Sequence, residues 1–119
     1  MEEVVAGIDI GGTNTTIGLV SSSGRVLTKS GIKTKQFPII EDFVATASKL
    51  IQEQLESLST EHKDLVFKGV GIGAPNANPY HGTIENAPNL SWRGIVPLVE
   101  LFSKSLNAPC KITNDAKAA

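Results

Sequence analysis

The chain has 119 residues, 40% of them apolar and 19% charged, with 11 Lys and Arg against 12 Asp and Glu. That length fits one domain with its own core, since single domains cluster around ~100–150 residues and need no disulfide or metal staple at this size. A net charge of −1 without a basic run argues against a nucleic-acid or polybasic membrane surface, the single cysteine (Cys110) excludes an internal disulfide, and no apolar stretch approaches the ~20 residues of a membrane span. The acidic start, Met1-Glu2-Glu3, lacks the form of a signal peptide, so the expected location is cytoplasmic.

Val4 to Ile10 is a β-branched run that reads as a buried strand. Gly11-Gly12-Thr13-Asn14 is a turn, and Thr15 to Val20 is a second strand. After the Ser21–Gly24 turn, Arg25 to Lys33 alternates as a third, with Val26, Thr28, Ser30 and Ile32 on one face. Strands joined by such short turns form an antiparallel meander, because parallel neighbours need a crossover of a dozen or more residues. The period then changes. Ile40, Phe43, Val44, Ala47, Leu50, Ile51, Leu55 and Leu58 recur at three- and four-residue steps, which predicts an amphipathic helix from Pro38 to Leu58, with Pro38 in its first turn. Leu65 to Ile72 follows as a fourth strand, parallel to a meander strand if the helix is its crossover.

Residues 73–94 are loop-rich, interrupted by a short Thr83-Ile84-Glu85 strand, and a loop of that length in a compact domain is usually functional. Pro97 opens a second helix, with Leu98, Leu101, Phe102 and Leu106 on one face, which ends at Ala108-Pro109. Cys110 to Thr113 is a fifth strand, and Asn114-Asp115 begins a further helix that stops at Ala119, so the chain reads as a fragment.

Chemistry concentrates in Gly7-Ile8-Asp9-Ile10-Gly11-Gly12-Thr13-Asn14. A carboxylate at a strand end, two glycines and a hydroxyl suit a phosphate and its metal ion: backbone N–H groups approach the oxygens, Thr13 adds a donor, and Asp9 holds Mg²⁺ through water. A plain hairpin turn accounts for the glycines but poorly for Asp9 in the middle of an apolar strand. Two nucleotide motifs fail. Gly69 to Ala74 has G-x-G-x-x-A spacing, but Pro75 to Pro79 cannot open the helix that motif requires, and no Gly-Lys pair exists for a Walker A loop.

Spacing alone favours Asn114-Asp115 as a helix cap over a general base or hydroxyl-positioning carboxylate at a strand's carboxyl end. Asparagines 76, 78, 86 and 89 can bond a polyol, although turn chemistry explains most of them. His62 and His81 lie in polar loops without metal-ligand spacing, Cys110 reads as a small apolar residue, and Trp92 is expected to pack its loop onto the domain.

Taken together, Ile8-Asp9-Ile10-Gly11-Gly12-Thr13, Gly71-Ile72-Gly73-Ala74-Pro75, Asn86-Ala87-Pro88-Asn89-Leu90 with Trp92, and Thr113-Asn114-Asp115-Ala116 resemble the ROK family, its glucokinase branch above all. The resemblance spans residues 1–119 and corresponds to that family's N-terminal domain. It implies an α/β fold of the ribonuclease H-like (actin-like ATPase) type: a five-stranded mixed sheet, three strands antiparallel and two added in parallel, with helices covering it. It further implies an ATP- and Mg²⁺-dependent hexose kinase acting on the 6-hydroxyl of glucose. Asp9, Gly11, Gly12 and Thr13 match the phosphate motif, Asp115 the catalytic base, and Asn114, Asp115 and Asn89 the sugar side. The structural zinc, the adenosine segment and further sugar contacts of the family belong to a C-terminal domain, so this fragment alone is expected to be inactive. A homo-oligomer is expected too, through an apolar patch around Ala116–Ala119. Lys117 stands where members commonly have Asn, and Asn76 where many have Gly. The resemblance leaves open a kinase for an N-acetylhexosamine or fructose, and a sugar-sensing transcriptional regulator. Such regulators carry a helix-turn-helix ahead of the domain, for which a phosphate motif at residue 9 leaves no room.

Overall fold

β1 (Glu2–Ile10) alternates strictly, burying Val4, Ala6, Ile8 and Ile10 while Glu3, Val5, Gly7 and Asp9 turn to its other face. β2 (Asn14–Ser21) does the same with Thr15, Ile17 and Leu19, and the four-residue register around Ile10 and Thr15 makes the pair an antiparallel hairpin. A computed structural model, describing residues 2–61 and 64–114, completes the sheet with β3 (Val26–Lys33), β4 (Leu65–Ala74) and β8 (Cys110–Asn114), in the order β3-β2-β1-β4-β8. β1 to β3 form the expected meander, and β4 and β8 add in parallel to β1 and β4 in turn.

The crossovers are α1 (Ile40–Ser59) and α2 (Leu98–Leu106). Their buried faces, Phe43, Ala47 and Ile51 on one and Leu98 and Phe102 on the other, close over the same sheet face as Ile8, Ile17, Leu19, Ile72 and Ile112. Ser105 Oγ donates to Ser48 Oγ at 2.8 Å and ties the helices together. Between β4 and α2, three short strands make a second sheet in the order β5 (Ala77–Asn78), β6 (Thr83–Glu85), β7 (Ile95–Val96).

Several boundaries differ from the sequence reading. α1 begins at Ile40 rather than Pro38, because the Ile39 carbonyl is the first acceptor, taking the N–H groups of Asp42 and Phe43 at 3.1 and 3.2 Å. α2 ends at Leu106, two residues before Ala108, because Asn107 takes the left-handed conformation (φ 50°) that asparagine tolerates. Val26 leaves the face of Thr28, Ser30 and Ile32. A register shift sets Leu19 opposite Thr28 but Val20 opposite Val26, so Leu27 is a bulge and Val26 turns outward, 61% exposed. Thr28 and Ser30 stay on the helix side, where the Thr28 hydroxyl donates to Gln54 Oε1 at 2.7 Å and Gln54 Nε2 donates to Ser30 Oγ at 2.8 Å.

The Gly69–Ala74 run lies wholly within β4, so it opens no helix. Gly69 serves a close approach instead, since a Cβ there would meet the Pro109 carbonyl at 2.7 Å, whereas a Cβ on Gly71 would meet nothing within 4 Å. Cys110 is half-buried, and that desolvation pushes its thiol up to about 11, which keeps it protonated at neutral pH. His62 lies outside the described residues.

Phe43 anchors the core. It is fully buried, with ring centroids of Trp92 at 4.6 Å and of Phe37 and Phe102 both at 6.2 Å. Truncation of such a residue removes its transfer energy and leaves a cavity its rigid neighbours cannot fill. Phe43→Ala is therefore expected to destabilise the fold by ~3–5 kcal/mol in urea unfolding. A loss under ~1 kcal/mol would place the centre of the core elsewhere.

Candidate functional site

The turn after β1 sits at the carboxyl edge of the three parallel strands, where open α/β sheets place their ligands. It is tight because the Gly11 N–H donates to the Asn14 carbonyl at 2.9 Å, and a Cβ on Gly11 would stand 2.9 Å from that same oxygen. Gly11 thus supplies shape, its donor already taken. The N–H groups of Gly12 and Thr13 and the Thr13 hydroxyl have no protein partner among the described residues. The Thr13 carbonyl accepts the Thr34 N–H at 2.9 Å, and the buried Thr15 and Thr34 hydroxyls share a 2.7 Å hydrogen bond. The single 3-10 turn at Thr34–Gln36 is thereby fixed to the glycine turn.

Across from it stands the loop of residues 87–93. Its neck is closed by the Asn86 N–H donating to the Gly94 carbonyl at 2.9 Å, with Asn86 at φ 53° and Gly94 at φ 72°. Ala87, Leu90 and Trp92 are buried beneath it. Trp92 Nε1 donates to the Phe37 carbonyl at 2.8 Å, so Trp92 does pack the loop onto the domain. The alternation leaves Asn89, Ser91 and Arg93 exposed.

Turn and loop touch. A Cβ on Gly12 would lie 2.9 Å from the Asn89 carbonyl oxygen and 3.0 Å from its Cβ. Between them opens a polar cleft of about 630 Å³, lined by Gly12, Thr13, Lys35, Asn89, Ser91 and Arg93 together with Pro88 and Leu90. Of the sequence-derived candidates, Gly12, Thr13 and Asn89 therefore meet. The remaining loop asparagines act in turns. Asn76 Nδ2 donates to the carbonyls of Glu85 and Asn86, both at 3.1 Å, and Asn86 serves through its left-handed backbone. Asn78 Nδ2 donates to Glu85 Oε2 at 3.1 Å while its Oδ1 accepts the N–H groups of Tyr80 and His81.

Asp9 is not set in a buried apolar environment. Strand alternation turns it to the outward sheet face, exposed, opposite Thr16 and Gly73, in a separate recess of about 340 Å³. A carboxylate there is hydrated and needs no buried partner, so it no longer argues against a plain turn. Asn114 is exposed at the end of β8, beside Ala74 in register. Asp115, Lys117 and the Ala116–Ala119 patch lie outside the described residues. Among the described residues, no group of three His, Cys, Asp or Glu is placed to hold a metal ion, and no helix is long and apolar enough to cross a membrane.

Lys35 and Arg93 were not among the sequence-derived candidates. Each is an isolated cation outside any motif, and only the anchoring at Thr34 and Trp92 brings them to one cleft.

The two glycine environments give a test of the contact. Gly12→Ala forces a Cβ against backbone and is expected to destabilise this chain by ~1–3 kcal/mol in chemical unfolding. Gly7→Ala, where nothing lies within 4 Å of the new Cβ, should change stability by less than ~0.5 kcal/mol. Equal effects would show that Gly12 and Asn89 are not in contact.

Residues 5–119 match the ROK family. The glucokinase of Streptomyces coelicolor is 34% identical over 115 residues, 95% of this chain and 33% of that protein. The chain thus spans about a third of the length of the curated relatives it matches. A ROK family glucokinase from Streptomyces griseus, crystallised with glucose and AMPPNP, superposes with a TM-score of 0.71 at 29% identity, over 97% of this chain and 34% of that one. A ROK family transcriptional regulator, a homologue of the E. coli MLC protein, shares the fold with a TM-score of 0.74 at 20% identity, over 98% and 28%. Five mixed strands in the order 3-2-1-4-8, two crossover helices on one face and the match over nearly the whole chain agree: this chain belongs to the ROK family, with the actin-like ATPase fold of its sugar kinases.

Proposed function

We propose that the full-length gene product is an ATP-dependent hexose kinase, glucose its sugar, and that this chain is its N-terminal domain. One observation carries the reading: Gly12 packs against Asn89, and the donors of Gly12 and Thr13, unpartnered among the described residues, line one polar cleft with it at the carboxyl edge of the parallel strands. The 34% identity to a glucokinase supports the choice of sugar. The remaining two thirds would supply the adenosine contacts, the rest of the sugar site and any structural zinc. A cytoplasmic homo-oligomer is part of the same proposal.

In this reading the N–H groups of Gly12 and Thr13 and the Thr13 hydroxyl hold phosphate oxygens, and Gly11 keeps the turn tight enough to aim them. Asn89 and Asn114 present amides to sugar hydroxyls, while Asp115, directly after β8, orients the attacking hydroxyl and takes its proton. The exposed, single carboxylate of Asp9 fits a Mg²⁺ that keeps most of its waters and is carried chiefly by the nucleotide. That ion would neutralise charge on the β- and γ-phosphates. Phosphoryl transfer through a loose transition state asks mainly for positioning and electrostatics, so a carboxylate of ordinary basicity suffices.

In the full-length protein, Asp115→Asn is expected to lower kcat by ~10²-fold or more with sugar affinity nearly unchanged, since shape survives and the base does not. Steady-state rates near wild type would return Asp115 to the role of a helix cap. Asp9→Ala should raise the Mg²⁺·ATP requirement and leave sugar affinity alone. Loss of sugar binding with an unchanged nucleotide response would put Asp9 on the other side of the cleft.

A further inference from the structure

The cleft carries two cations that the reading above does not use. Lys35 and Arg93 both line it, both are exposed, and neither has an ion-pair or hydrogen-bond partner among the described residues. Among the described residues, no Asp or Glu lines the cleft. Unpaired cations are common on surfaces, but these two are carried by the same buried scaffold that sets the glycine turn against the loop of residues 87–93. Lys35 follows Thr34, whose N–H and hydroxyl are bonded to Thr13 and Thr15 of the glycine turn and the strand after it. Arg93 follows Trp92, whose indole is buried and donates to the Phe37 carbonyl, two residues beyond Lys35. Each cation therefore has a backbone fixed within one residue of a buried anchor, and the two anchors are fixed to each other.

We infer that Lys35 and Arg93 form an anion subsite that binds a phosphoryl group in the same cleft as Gly12 and Thr13. The inference rests on the kinase reading for the identity of the anion, though not for the presence of the subsite. Its chemistry is that of a phosphate oxygen cluster: a planar guanidinium fork for two oxygens, an ammonium as a mobile point charge, and a neutral donor from the Ser91 hydroxyl in the same lining. Two sources present such a group at this cleft, the terminal phosphates of the donor chain and the phosphate monoester on the sugar product. An uncharged hexose has no net charge for either cation to attract and gains at most ordinary hydrogen bonds from them. The pair thus acts chiefly on the charged partner and raises its encounter rate at low salt.

The experiment is isothermal titration of the full-length protein with inorganic tripolyphosphate, with glucose 6-phosphate and with glucose. The double variant Lys35→Ala/Arg93→Ala is expected to lose roughly tenfold or more in affinity for at least one of the two anions, with glucose unchanged. The anion that loses affinity identifies the source. The wild-type affinity should fall with added salt more steeply than that of the variant. Lys35→Arg/Arg93→Lys, which keeps both charges, should recover most of the loss. Unchanged anion affinity in the double variant, or a wild-type protein that binds neither anion at low ionic strength, overturns the subsite. Turnover measured on the same samples separates the two readings. Active enzyme with unaffected anion binding removes the subsite and leaves the kinase, whereas charge-dependent anion binding without hexose turnover leaves the subsite and removes the kinase.

Discussion

The hydrogen bond from Trp92 Nε1 to the Phe37 carbonyl joins segments 55 residues apart, and the geometry of the cleft depends on it. An indole buried to 4% exposure without a partner would leave its N–H desolvated, which is costly in a dry interior. With the Phe43 ring beneath it at 4.6 Å, the indole has one favourable position, and the loop of residues 87–93 must follow. That placement sets the Asn89 backbone against Gly12, and the absence of a side chain at Gly12 is what permits the approach. The Thr15–Thr34 and Thr34–Thr13 bonds then close the circuit from the other side. A loop with little secondary structure is thus held in place by the buried side chains of Ala87, Leu90 and Trp92.

The sheet contributes direction. β1, β4 and β8 are parallel, so their carboxyl ends, at Ile10, Ala74 and Asn114, share one edge. The groups with chemistry follow those ends in the chain, the glycine turn after β1 and Asn114 at the close of β8. Alternation divides what the edge gathers. Residues with even numbers in β1 enter the core, so Asp9 faces the opposite side and occupies a recess distinct from the cleft of Gly12, Thr13 and Asn89.

Most of the main sheet was legible because its signals are periodic. The change from a two-residue to a three- and four-residue repeat near Pro38 separates meander from crossover, and the short turns force antiparallel neighbours. Features that depend on a single backbone conformation were not legible. The bulge at Leu27, the left-handed Asn107 and the two-residue strands β5 and β7 have no period to betray them. The site divides on the same line. Gly12, Thr13 and Asn89 were found through local patterns, and the structure brings them together. Asp9 was read as buried because its neighbours are apolar, a reading that alternation defeats. Lys35 and Arg93 were invisible for a different reason: a cation carries no positional signal until tertiary contacts give it a neighbour.

That last point also bears on what net charge can exclude. A balance of 11 basic and 12 acidic residues without a basic run speaks against an extended polyanion such as a nucleic acid, which needs many phosphate contacts at once. It says nothing about a small anion, for which two cations and a few neutral donors are sufficient. Folding brings Lys35 and Arg93 to the rim of one cleft while Glu3, Glu100 and their lysine partners pair elsewhere. The protein is close to neutral as a whole and cationic at the place where free N–H groups already converge. The overall balance of charge thus conceals a local excess of positive charge that only the folded chain brings together.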